Sequence, residues 1–377
     1  MTLFSFRRFF AVLAKEFIQM RRDRLTFGMM MGVPLMQLLL FGYAINTDPK
    51  NLPAVAVVAE NSNFTRSLLR AMENTGYIRF VSAPVDDATS DRMLRRGEVQ
   101  FAVHIPVNFA EDIVRGRKPA LLVEADATDP VATGNALSAL QGLDSAALIH
   151  DLKGPLQALQ NGEAPFEVQL HKRYNAEGIT QYNIVPGLMG VVLTMTMVMM
   201  TSLAVTRERE RGTMENLLAM PVQPMEVMLG KILPYIVVGY VQVAIIVVAA
   251  RYLFSVPLVG SLPLLSLAAI IFIAANLAVG FTFSTLSTNQ LQAMQMSVFF
   301  FLPSLLLSGF MFPFRGMPAW AQILGEALPL THFLRIVRGI LLKGNGWADI
   351  WPDLWPILTF LVAAAILALI RYRRTLD

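Results

Sequence analysis

The chain has 377 residues, of which 55% are hydrophobic and only 15% charged, with a mean hydropathy of +0.52 and a formal net charge of +4. This apolar content exceeds what a soluble domain of that length needs to fill its core, and points to a membrane protein. Cysteine is absent from the sequence, which excludes disulfides, thiolate metal sites and a cysteine nucleophile. The four histidines, at 104, 150, 171 and 332, fall in no metal-ligating spacing, so no metal is expected.

Residues 1–24 open the chain with Phe4, Phe6, Phe9, Phe10, Val12, Leu13, Phe17 and Ile18 interleaved with Arg7, Arg8, Lys15, Arg21, Arg22 and Arg24. That spacing predicts an amphipathic helix lying along the inner membrane surface, apolar face down and cations on anionic headgroups. Uncharged residues 25–45 follow and are long enough to cross ~30 Å of hydrocarbon, so they read as a retained first span. Five further spans are expected at 184–205, 232–254, 262–286, 296–312 and 354–370, giving a polytopic α-helical membrane protein of six transmembrane helices. Basic residues cluster in 1–24, in the loop 206–231 and in the tail 371–377, which six spans place on one side, the cytoplasmic one. Arg315, Arg335, Arg338 and Lys343 in the outer segment 313–352 run against that trend.

Residues 46–183 are the one polar block, with 13 Lys+Arg against 17 Asp+Glu, and an acidic block does not suit nucleic acid. Apolar stretches at 54–60, 77–83, 100–106 and 120–126 alternate with helical patterns at 62–74, 86–96 and 109–115, predicting an inserted extracytoplasmic α/β domain. A longer helix is expected from Thr133 to about Asn161, and a last strand at 166–174. The acid pairs Asp86–Asp87 and Asp126–Asp129 read as turn and cap residues, and no catalytic constellation is present. The domain therefore reads as a binding or docking module.

After the second span comes TRERERGTMENLLAMPVQPMEVMLGK, residues 206–231. Glu208 with Arg211, or Glu210 with Arg207, can pair at helical spacing. Gly212 permits a break, and Thr213 can cap a short helix whose apolar side is Met214, Leu217, Leu218 and Met220, before Pro221 ends it. Such a helix is a docking knob for another protein. Through Glu208, Arg209, Glu210, Gly212, Thr213, Glu215, Leu217, Leu218, Pro221 and Lys231 the chain resembles the type-2 ABC transporter permeases, particularly the multidrug-efflux-like bacterial subgroup with a large outer domain after the first span. The likeness extends to Lys15-Glu16 and Arg22-Asp23, to the polar STNQLQAMQ turn at 287–295, to LPSLLLSGFMFP at 302–313, and to an outer re-entrant segment before the last span.

The resemblance implies ATPase coupling by Glu208, Glu210, Arg211, Gly212, Thr213, Glu215, Leu217, Leu218 and Pro221, with Lys15, Glu16, Arg22 and Asp23 as ATPase contacts on the interfacial helix. No G-x-x-x-x-G-K-[ST] phosphate loop occurs in the sequence, so the chain binds no cofactor itself, and ATP and Mg belong to a separate ATPase subunit. The chain by itself is not an enzyme on this reading. Further implied partners are a second permease, as homodimer or sister heterodimer, a periplasmic membrane-fusion adaptor, and membrane lipid; the implied location is a bacterial inner membrane with both termini cytoplasmic. Met195 and Met199, with Phe299 and Phe300, are the expected lining of a path for hydrophobic or amphipathic, drug-like cargo. Export of a lipid or polysaccharide intermediate, and a non-transporting receptor or scaffold, are the alternatives.

Overall fold

The computed structural model describes residues 49–144, 147–149, 151–153, 156–157, 164–210 and 224–374, so the expected interfacial helix, the first span and most of the loop 206–231 lie outside the described residues. The described part comprises an α/β domain and a helical bundle.

The α/β domain carries a five-stranded mixed sheet, β1 (Leu52–Val58), β2 (Ile78–Phe80), β3 (Phe101–Ile105), β4 (Ala120–Asp126) and β5 (Glu167–Arg173), in the order β2-β1-β3-β4-β5. All neighbours are parallel except β3 and β4, which pair antiparallel with Val103 opposite Val123. Side chains alternate across the pleat. Phe101, Val103 and Ile105 enter one core with Leu68, Met72, Phe109, Leu121 and Phe166, whereas Ala102 joins Val55, Leu94 and Val99 in a second. Helices α1 (Asn63–Asn74), α2 (Asp87–Arg96), α3 (Phe109–Val114) and α4 (Pro130–Gln141) connect the strands. Ser62 caps α1 by accepting from the Thr65 N–H, and Asp129 caps α4 by accepting from those of Val131 and Ala132, with Pro130 placed where no N–H is missed.

The helix expected to run from Thr133 to Asn161 ends instead at Gln141, where Gly142 caps it. Leu143, Leu148 and Leu152 are nonetheless buried in the larger core. Apolar side chains recurring at three and four serve a folded-back turn as well as a helix.

Among the described residues the bundle contains five helices long and apolar enough to cross a membrane: α5 (Thr180–Glu210), α6 (Pro224–Tyr252), α7 (Leu262–Leu286), α8 (Gln290–Leu307) and α11 (Trp347–Arg374). Between α8 and α11 lie the short helices α9 (Ala319–Glu326) and α10 (Pro329–Arg338), then one π-helical turn, Gly339–Lys343, closed by Gly344 with φ +71°. Contact pairs fix the directions. Thr196 meets Gln242 and Val185 clusters with Ala250, while Ser202 meets Ser297 and Glu210 meets Gln290, so α6 and α8 run against α5. Thr206 meets Ser287 while Gly280 packs on Val198, so α7 runs with it. Residues 210, 287–289 and 374 therefore share one end of the bundle, and the α/β domain shares the other with segment 308–346.

Helix α7 is central, packing on α5, α6, α10 and α11, and its Phe272 stacks on Phe333 of α10 with centroids 4.0 Å apart. Of its apolar window 67% is buried within the chain, against 17% for α6 and α11, which present their apolar sides outward. Among the boundaries that differ from the sequence reading, two have an identifiable cause. The stretch Gln290–Gln295, expected as part of a turn, is the first turn and a half of α8, because Asn289 accepts from the Gln292 N–H. Likewise α11 begins at Trp347 and not at 354, since Asp349 and Asp353 find cationic partners in other elements.

Candidate functional site

Three features bear on function: the seam between α5 and α8, the end of that seam at Glu210, and the junction where the α/β domain meets segment 308–356. The seam is polar at one end. Ser202 Oγ and Ser297 Oγ lie 2.8 Å apart, and Thr206 Oγ1 and Ser287 Oγ 3.0 Å, all buried, as interhelical hydrogen bonds in an apolar bundle require. Thr196 Oγ1 donates to Gln242 Oε1 of α6 at 2.9 Å.

Of the expected path residues, Met195 and Phe299 are exposed side chains, whereas Met199 and Phe300 are partly buried. Phe300 packs edge-on against Phe283 at 6.0 Å and on Phe360 at 6.5 Å, a helix-packing role. Met195, Met199, Ser202 and Thr206 recur at four, three and four along α5 and so share one stripe of that helix.

Among the expected coupling residues, Arg211, Gly212, Thr213, Glu215, Leu217, Leu218 and Pro221 lie outside the described residues, as do Lys15, Glu16, Arg22 and Asp23; Glu208 falls within α5. Glu210 closes α5. Its carboxylate accepts from the Gln290 backbone N–H at 2.7 Å and from the Gln290 side-chain amide, so it sits on the first residue of α8. A carboxylate at a helix N-terminus meets unpaired N–H groups and the positive end of the macrodipole. These hydrogen bonds from Gln290, side chain first, hold the Glu210 carboxyl below the usual carboxylate range.

At the opposite end, α2 is docked by its C-terminus. Its last carbonyls reach the membrane part: Leu94 O, which also takes the Gly97 N–H of the cap, accepts from Lys343 Nζ at 3.3 Å, and Arg95 O accepts from Asn345 Nδ2 at 3.2 Å. Gly97 O just beyond accepts from Arg315 Nη2 at 3.2 Å. Lys343 also pairs with Asp126 at the end of β4, both side chains more than nine-tenths buried. Arg96 completes the junction with Nε 3.0 Å from Asp349 and Nη2 on Ala348 O, the carbonyl that Pro352 cannot engage within α11.

A cavity of about 500 Å³ opens beside these contacts, between the domain and segment 308–356. In its wall His332 Nδ1 lies 2.8 Å from Asp353 and Nε2 2.9 Å from Glu326 O, while Arg335 bridges Glu326 at 2.6 Å and Asp353 at 3.3 Å. Arg338 donates through Nη1 to Gly309 O at 3.2 Å, and its Nε and Nη2 are buried with no hydrogen-bond partner among the described residues. Burial, more than the nearby Arg338 charge can offset, pushes the Asp129 carboxyl up. The four cations that ran against the charge trend thus have local reasons for their positions: Arg335 and Lys343 are held by acids, Arg315 and Arg338 by carbonyls. Sequence reasoning missed Asp126, Asp349, Asp353 and Arg96, because the pairs they form join residues 18 to 253 positions apart.

Against this geometry the comparisons with known proteins are decisive about family. A family model described as "ABC-2 family transporter protein" matches residues 24–370. The chain belongs to the ABC-2 transporter family. Three Escherichia coli K12 proteins are similar to this ABC-2 chain. "Probable multidrug ABC transporter permease YbhS" is 30% identical over 100% of this chain and 99% of its own length, and "Inner membrane transport permease YhhJ" is 31% identical over 78% and 79%. "Probable multidrug ABC transporter permease YbhR" is 26% identical over 90% of each. The chain is a membrane-embedded permease of ABC-2 type; such subunits are not enzymes by themselves, and the family implies an ATPase partner and a dimeric arrangement.

Proposed function

We propose that this chain is the transmembrane subunit of an exporter that moves hydrophobic or amphipathic compounds out across a bacterial inner membrane, driven by a separate cytoplasmic ATPase. The observation that carries the coupling is Glu210. It ends the helix leading into loop 206–231 and holds the first residue of α8. Helix α8 is 18 residues, about 27 Å, and ends beside Gly309, whose carbonyl takes Arg338 of the outer junction. A push on the loop by ATPase closure is thereby passed along α8 to the cavity at the α/β-domain end. Residues 212–221 are the knob on which the ATPase acts, and residues 1–24 brace it from the membrane surface.

The α/β domain is the extracytoplasmic docking module, where a periplasmic adaptor takes cargo onward. The names of YbhS and YbhR as multidrug permeases support amphiphilic cargo. The exposed Met195 and Phe299 offer adaptable apolar surface for it. Two copies, or this chain with a sister permease, make the complete path.

The test is co-purification of the full chain with its ATPase in nanodiscs, comparing ATP hydrolysis for wild type and Glu215→Arg. Loss of association or of coupled hydrolysis in a folded variant is expected. Unchanged association and hydrolysis would remove the loop from the coupling role.

A further inference from the structure

Among the described residues, six cations and six acids line the cavity between the α/β domain and segment 308–356, and they do not pair off evenly. Lys343 holds Asp126, Arg96 holds Asp349 and reaches Glu98 at 3.8 Å, and Arg335 takes both Glu326 and Asp353. Arg95 pairs at 3.1 Å with Asp91, which is not part of the cavity wall. Arg315 and Arg338 are left with backbone carbonyls alone among the described residues, those of Gly97 and Gly309. The remaining acid, Asp129, is committed elsewhere. Its Oδ1 accepts from the Val131 and Ala132 N–H groups that open α4 and from Asn183 Nδ2 at 3.4 Å. Burial pushes that carboxyl toward its neutral form, which makes it a weak counter-ion for Arg338.

Arg338 uses one edge of its guanidinium and not the other. Nη1 donates to Gly309 O, whereas Nε and Nη2 are buried with no hydrogen-bond partner among the described residues. Those two N–H groups lie on one edge of the planar group, the edge that meets two oxygens of a carboxylate, sulfonate or phosphate at once. Leaving such an edge unmade in a buried place is unfavourable, and an acidic group set against it removes the penalty. Arg315 lines the same cavity but is exposed, so it adds a second cation without an acid partner where anions arrive from solvent. The cavity also holds much more than an acidic group. Its volume of about 500 Å³ is in the range of small-molecule sites, and Phe314, Ile350 and Trp355 give the wall an apolar part.

We propose that this cavity is a binding site for acidic amphiphiles. The carboxylate, sulfonate or phosphate sits on the Nε–Nη2 edge of Arg338, Arg315 draws it in, and the apolar body lies against Phe314, Ile350 and Trp355. Neutral analogues of the same shape leave the Arg338 edge unmade and bind less tightly. That such compounds are cargo rests on the export reading above; that the cavity binds them does not, and it is measured without ATP.

The probes are dansylate and dansylamide, one ring system carrying a sulfonate in the first and a neutral sulfonamide in the second. Binding is read by equilibrium dialysis of the full chain in phosphatidylcholine nanodiscs, with empty nanodiscs subtracted. Wild type is expected to bind dansylate at least about tenfold more tightly than dansylamide, the scale on which a buried charge pair discriminates. Arg338→Gln should reduce that preference to within about twofold, since a neutral amide offers no charge-assisted fork. Arg315→Gln, at an exposed residue, should weaken dansylate at least about threefold at low salt and leave dansylamide unchanged. Should Arg338→Gln fail to fold, judged by size exclusion, the wild-type preference and the Arg315→Gln loss still decide. Inorganic phosphate at equal concentration should displace little dansylate, having no apolar body. Equal binding of the two probes by wild type would overturn the proposal, as would a preference that survives Arg338→Gln in folded protein or a dansylate affinity indifferent to Arg315→Gln. Displacement by equal phosphate would overturn the assignment to amphiphiles and leave a site for free anions. Dansylate binding in a complex that exports nothing would strike the export reading alone, and ATP-driven export without the preference would strike this site alone.

Discussion

Tyr174 sits at the foot of the α/β domain with φ +69°, a left-handed backbone that a bulky residue adopts only when its surroundings hold it. Its hydroxyl is buried with no partner among the described residues, and its ring lies 5.2 Å from Lys343 Nζ and 5.4 Å from the Arg173 guanidinium. Burial pushes its phenol up to about 12. Because the folded-state value is raised, the proton is held more tightly in the fold than in the unfolded chain. The contribution to stability is complete below pH ~10 and is lost as pH rises towards about 12. Absorbance titration at the tyrosinate band should show a late-ionising component that Tyr174→Phe removes. That substitution should leave the unfolding free energy unchanged or raise it by up to about 1 kcal/mol, since it deletes a buried hydroxyl that has no partner among the described residues.

Lys343 and Asp126 make the opposite case. Lys343→Met leaves a buried carboxylate unpaired and should cost about 3–5 kcal/mol in a denaturation experiment on the full chain. Lys343→Met with Asp126→Asn should recover most of that loss. The sequence showed these residues only as an acid in a turn and a lysine on the wrong side of the charge rule. A pair 217 positions apart has no local signature.

The elements were legible where a local rule decides them. Ser62, with the apolar spacing behind it, announces α1, and the uncharged run 262–286 announces α7. They were misread where a distant partner decides. The last span was expected from 354, after an outer re-entrant segment, but Arg96, Arg335 and His332 partner the acids Asp349 and Asp353, and Arg96 takes the carbonyl that Pro352 leaves free, so the helix starts at Trp347. Antiparallel pairing of β3 with β4 was equally hidden, since alternation gives which side chains point inward and not which way the neighbour runs. Packing between α5 and α7 depends on Gly280, where an added Cβ would lie 2.5 Å from the Val198 carbonyl oxygen and 3.0 Å from Thr201 Cβ. Backbone cannot yield as a flexible side chain does, so Gly280→Ala should separate the two helices at a cost of about 1–3 kcal/mol, read as a lower thermal midpoint in detergent.

For the whole molecule the candidate site was half legible. The motif singles out loop 206–231, most of which lies outside the described residues, and that Glu210 holds α8 depends on how the helices pack. The outer junction was legible only as a charge anomaly. On the function proposed above, α8 joins a cytoplasmic lever to an outer cavity, and among the described residues the links are Glu210 to Gln290 at one end and Gly309 to Arg338 at the other. Transport should fail when either link is cut, even with the ATPase still attached. The most direct measurement is ATP-dependent accumulation of a fluorescent amphiphile in inside-out vesicles holding the complete complex, comparing wild type with Glu210→Ala at equal ATPase association. Accumulation that needs ATP in wild type and falls at least about tenfold in Glu210→Ala is the predicted result. Accumulation indifferent to ATP, or to the loss of Glu210, would contradict it.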